Sequence, residues 1–155
     1  MKKNMRILIA YDGSEPSRQA LNQGVILAKL TDSDVTILSV VPRIMIPFFS
    51  EGGLGPSSIS AAQQMADYHE EMKDYYSKSL EKAVKEVERE YPELKVETKL
   101  IEGRPSSTIV EMAEEDGYDL IILGSRGLGG ITGWLLGSTS KKVVESCTIP
   151  VLVVK

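Results

Sequence analysis

Gly124-Ser-Arg-Gly127, nine further residues and then Gly137-Ser138 lie between two apolar runs in the last third of the chain. Such spacing describes a backbone cradle for phosphate. Asp119-Leu-Ile-Ile-Leu123 is rich in branched residues, as a buried parallel strand should be. Gly124 ends that run, where a Cβ is expected to obstruct a ligand lying against the main chain. Gly127, Gly129, Gly130 and Gly133 keep the loop free of side chains and allow positive φ. Gly137-Ser138-Thr139-Ser140 then opens the next helix, whose unpaired N–H groups and positive dipole end favour an anion. These residues point to a nucleotide site. The competing reading is a glycine-rich surface turn with no ligand.

Two better-known phosphate motifs are excluded. A Walker A loop needs a lysine inside the glycine run, and Lys141 comes only after the helix has begun. The dinucleotide fingerprint needs a third glycine where Thr132 stands, and it belongs after the first strand rather than a late one.

The elements that must position this loop follow from the apolar pattern. Arg6–Tyr11, Val35–Val41, Lys95–Ile101, Leu120–Leu123 and Pro150–Val154 read as strands. Between them run helical patterns. The first has Ser14 as cap and Pro16 in its first turn, with Leu21, Gly24, Val25 and Ala28 at helical spacing. A long one carries Met65, Tyr68, Met72, Tyr76, Leu80, Ala83 and Val87 as one buried stripe. The third carries Ile109 and Ala113; the last carries Ser140, Val143, Val144 and Cys147. Strands separated by helices imply right-handed crossovers and an α/β fold, a parallel sheet covered on both faces. Ligands in such sheets sit beyond the carboxyl ends of the strands, which is where the glycine loop and Asp12 both lie.

Composition narrows the class. The chain has 155 residues, 42% hydrophobic and 26% charged, which suits one globular domain over 1–155. A net charge of −4 argues against a nucleic-acid footprint. The lone Cys147 leaves no internal disulfide, no apolar run approaches a membrane span, and Ile7–Ala10 is too short for a signal peptide. A cytoplasmic protein is expected. Residues 42–60 lack periodicity and hold Phe48 and Phe49, so a flexible loop is expected there: a flap near the site, a contact for a partner, or a surface excursion. His69 is expected on the surface, Cys147 as a buried inert thiol. Lys82, Lys85 and Arg89 interleave with glutamates as a solvated face.

The chain resembles the universal stress protein family. Gly124, Gly127, Gly137 and Ser138 match the Gly-x-x-Gly, nine-residue, Gly-Ser pattern of its nucleotide-binding members. Tyr11-Asp12-Gly13-Ser14, Gly103-x-Pro105 and Pro150-Val-Leu-Val-Val match further. The resemblance implies a Rossmann-like α/β/α sandwich with strand order 3-2-1-4-5, ATP as ligand, and a homodimer. It also implies roles: Asp12 beside the adenosine, Val40 offering main-chain groups to adenine, Ala10 and Leu123 lining the base pocket. Gly124 and Gly127 would admit the ribose and first phosphate, with Gly137, Ser138 and Thr139 on the outer phosphates.

Catalysis needs a positioned nucleophile and charge for the transition state. Asp12 is open to two readings, a Mg²⁺ ligand beside the phosphates or a ribose or base contact. Arg126 either reaches a phosphate or is solvated. Trp134 is open to three readings: a cover for the nucleotide, a contact at a subunit boundary, or ordinary core packing. With no dedicated general base in view, a nucleotide-dependent regulatory switch is expected; the alternatives are a weak ATPase or phosphotransferase and a module that binds no nucleotide. Val96, Thr98 and Leu100 alternate with Glu97 and Lys99 as on a half-exposed edge strand. Val151, Leu152, Val153 and Val154 are apolar on both faces at the other edge, which predicts that this strand pairs with its copy in a second subunit.

Overall fold

The protein is represented by a computed structural model that describes residues 3–44, 56–128 and 135–155. Phe48, Phe49, Gly129, Gly130, Gly133 and Trp134 lie outside the described residues. Strands and helices alternate as β1 (Arg6–Ala10), α1 (Glu15–Thr31), β2 (Asp34–Pro42), α2 (Pro56–Glu90), β3 (Val96–Gly103), α3 (Pro105–Glu115), β4 (Leu120–Gly124), α4 (Ser138–Ser146) and β5 (Val151–Val154). The sheet is wholly parallel, in the order β3-β2-β1-β4-β5. Among the described residues, no helix is long and apolar enough to cross a membrane.

Side-chain alternation along the strands builds two cores. Ile7, Ile9, Ile37 and Ile122 face α1 and α2, meeting Ala20, Leu21, Val25, Leu80, Ala83 and Val87. Leu8, Leu38, Ile121 and Leu123 face α3 and α4, meeting Ile109, Ala113 and Val143. Each fully buried branched side chain contributes about 1.5–3 kcal/mol. The central strands are covered on both faces for this reason, and the strand runs read as continuously apolar.

Several expectations change. Pro42 ends β2 and Pro56–Ser60 already belong to α2, so both ends of the loop expected over 42–60 are regular structure, and 45–55 lie outside the described residues. The α2 stripe divides: Tyr76, Leu80, Ala83 and Val87 are buried, whereas Tyr68 is 61% exposed. Val144 also faces solvent. Cys147 caps the end of α4 and is half-buried rather than fully enclosed. His69 is not a free surface side chain. Its Nε2 lies 3.0 Å from Glu102 Oε1, and Nδ1 is buried without a hydrogen-bond partner among the described residues. β3 is an edge strand with Val96 and Ile101 half-buried on opposite faces, but Thr98 and Leu100 are exposed, and Lys99 is half-buried with its ammonium 2.8 Å from Asp116 Oδ2.

Candidate functional site

The turn after β1 is built by Asp12. Its Oδ1 accepts from the Ser14 N–H at 2.9 Å, an Asx-type turn. Gly13 takes φ +84°, a left-handed conformation that glycine adopts without steric cost. Ser14 then caps α1, its Oγ accepting from the Ser17 N–H at 3.3 Å. Asp12 Oδ2 reaches across the crevice and accepts from the Leu128 N–H at 3.0 Å. One carboxylate therefore joins the end of β1 to the glycine loop.

The far end of that loop is stitched back to its start. The Gly137 N–H donates to the Ser125 carbonyl at 2.8 Å, and the buried Ser140 hydroxyl donates to the same oxygen at 2.8 Å. Gly137 is the N-cap of α4, with extended ψ, so Ser138 and Thr139 start the helix at the mouth of the crevice. Their N–H groups and the helix dipole favour negative charge there.

Between these parts lies a cleft of about 780 Å³ over the carboxyl ends of β1, β2 and β4. One side is an apolar slot formed by Ala10, Leu38, Val40, Ile109 and Leu123. The Leu38 carbonyl accepts from the Tyr11 N–H at 2.8 Å, and the Ser39 hydroxyl donates to the Tyr11 carbonyl at 2.6 Å. Strand backbone groups point to the same side every second residue. Val40 thus presents its N–H and C=O on the side where β1 has ended, toward the slot. The other side is walled by Tyr11 and by α2 through Tyr68, Glu71, Met72, Tyr75 and Tyr76.

Burial, with Asp12 nearby, pushes the Tyr76 phenol up to about 12. The folded protein holds this proton more tightly than the unfolded chain. Its contribution to stability is complete below about pH 10 and is lost as pH rises toward about 12. Tyr76→Phe should therefore lose less stability than wild type between about pH 10 and about pH 12, read from urea midpoints. Parallel losses in the two proteins would contradict the shift.

The sequence model described as the universal stress protein family matches residues 3–155. The chain is 33% identical over 151 residues to universal stress protein YxiE of Bacillus subtilis, covering 97% of this chain and 98% of that one. The chain belongs to the universal stress protein family. Among solved structures, that of MJ0577, a universal stress protein of Methanocaldococcus jannaschii, matches with TM-score 0.70 and 27% identity over 97% of this chain and 95% of that one. The universal stress protein of Archaeoglobus fulgidus in complex with dAMP shares the fold at TM-score 0.59 and 19% identity, with both chains fully covered.

In this universal stress protein, Ala10, Asp12, Val40, Leu123, Gly124, Arg126, Gly127, Gly137, Ser138 and Thr139 all line the one cleft. Two of the glycines are there for reasons the sequence did not suggest. A Cβ on Gly124 would stand 2.6 Å from the Pro16 carbonyl carbon, so the first turn of α1, not a ligand, excludes a side chain. A Cβ on Gly127 would stand 2.6 Å from Asp12 Oδ2, and positive φ is found at Gly13 and Gly117 rather than at Gly127. Asp12 serves first as a structural tie, since both its oxygens accept a backbone N–H. The tyrosine wall was missed. Four of the chain's six tyrosines line the cleft, and Tyr75, off the apolar stripe beside Tyr76, was the available signal.

Proposed function

We propose that this protein binds an adenine nucleotide, ATP by preference, and acts as a nucleotide-dependent switch rather than a catalyst, in the cytoplasm. The observation that carries the reading is one cleft joining an apolar slot, edged by the backbone groups of Val40, to a glycine loop and the start of α4. The slot suits a purine, and the loop and helix end suit phosphates. The relative from Archaeoglobus fulgidus, with dAMP, supports the same class of ligand. Arg126, on the loop, supplies positive charge beside the phosphates. Mg²⁺ would arrive bridged to the phosphates, keeping most of its waters. Among the described residues no three metal-binding side chains gather, and Asp12, already holding two N–H groups, would offer at most one oxygen.

Pure protein titrated with ATP and Mg²⁺, with bound nucleotide and released phosphate both followed, tests this. Saturable binding without turnover is expected; repeated turnover would favour the ATPase reading, and no binding would refute both. Guanine reverses the donor and acceptor pattern that the Val40 backbone would meet, leaving buried groups unpaired. GTP should bind at least about tenfold more weakly, a difference of ~1.4 kcal/mol. Equal affinities would refute adenine reading at Val40 alone.

The same reading includes a homodimer through β5. Leu152 is 40% exposed on this edge strand, which pairs on one side with β4. The Pro150 and Val154 carbonyls accept from β4 and the Ser125 turn, so Val153, of opposite parity, directs its N–H outward. Val153→Pro removes that outward donor while sparing the β4 ladder. Light scattering at micromolar concentration should give a dimer for wild type and a monomer for the variant. A monomeric wild type would count against edge pairing.

A further inference from the structure

We propose that the α2 side of the cleft is a second base subsite, so that the preferred ligand is an adenine nucleotide carrying a second flat heterocycle beyond its phosphates, a dinucleoside polyphosphate. This rests on the nucleotide reading of the preceding subsection and extends it.

The one cleft has two differently lined sides. The apolar slot lies on the α3 and α4 side of the sheet, and the glycine loop with α4 supplies the phosphate end. Neither needs the wall opposite, where Tyr11 and Tyr76 are 6% and 7% exposed and form a floor. Tyr68 and Tyr75, at 61% and 46%, stand at the mouth with ring surface open. Tyr75 and Tyr76 meet at 87° with centroids 5.8 Å apart, so they do not stack on each other, which leaves ring surface for a third ring.

Charge decides what kind of group fits. Asp12 and Glu71 border this side, and among the described residues no lysine lines the cleft; Arg126 belongs to the glycine loop. Further phosphates would be repelled. A neutral base suits the site, because its face stacks on tyrosine and its ring or exocyclic N–H groups donate to carboxylates. Asp12 stands at the junction, holding the Leu128 N–H at 3.0 Å, so the loop that would carry the phosphates borders both sides. Bridging phosphates on the loop would thus place one base on each side.

Calorimetric titration with diadenosine tetraphosphate and with adenosine 5′-tetraphosphate isolates the second nucleoside. The dinucleotide should bind about tenfold tighter or more, the gain expected of one base stacked on an aromatic ring. Tyr68→Ala, an exposed position, should erase that gain and leave the affinity for adenosine tetraphosphate unchanged; Tyr75→Ala should do the same. Equal affinities in wild type, or a gain that survives both substitutions, would overturn the second subsite while the mononucleotide reading stands. Failure of both ligands to bind would overturn both.

Discussion

Gly127→Val should lose nucleotide affinity by about a hundredfold or more, ~2.7 kcal/mol, with the fold intact. The first side-chain carbon alone would lie 2.6 Å from Asp12 Oδ2, and the two methyl groups beyond it add bulk where the loop must admit phosphate. Loop and carboxylate have to part, which breaks the Leu128 N–H contact and spoils the cradle's shape. Because residue 127 is exposed and lies outside both cores, the melting temperature should change little. Ser138→Ala removes one side-chain hydroxyl, leaves the backbone donors of α4 in place, and should cost far less. Titration of ATP into the two variants and wild type checks this. Undiminished affinity in Gly127→Val would remove the loop from the binding site.

Gly124→Ala should instead act on stability, by about 3 kcal/mol. The added methyl would meet the Pro16 carbonyl carbon at 2.6 Å and its oxygen at 2.8 Å. These are backbone atoms in the first turn of a helix. They cannot rotate aside, so β4 and α1 must separate. For a chain of this length that corresponds to a fall of roughly 6–12 °C in the melting temperature. Urea and thermal unfolding measure it. A neutral substitution would show that the approach of Pro16 to β4 is looser than it stands in the fold. Nucleotide affinity should also weaken, since α1 begins where Asp12 and Ser14 shape the turn. Gly127→Val should therefore weaken binding alone and Gly124→Ala both stability and binding, although the two glycines lie in the same short motif.

Sequence alone determined the parts whose cause is local. Branched runs such as Leu8-Ile9 and Ile121-Ile122 became central strands because burial on both faces selects them. The Ser14 cap and Pro16 start α1 through neighbours within three residues. The glycines and Ser138 that mark the two ends of the loop were legible from spacing, and the strand order 3-2-1-4-5 from likeness to the family. Only the tertiary structure decided what those residues face. Asp12 and Leu128 meet across 116 positions of chain, so nothing near either one announces the tie. Gly124 owes its missing side chain to Pro16, His69 its partner to Glu102, and the tyrosine wall its position to α2 lining the same cleft as the ends of β1 and β4. A periodic pattern reports which face of an element is apolar. Whether that face meets a core or a cleft depends on where the neighbouring strands stop, and that is settled by packing between segments distant in sequence.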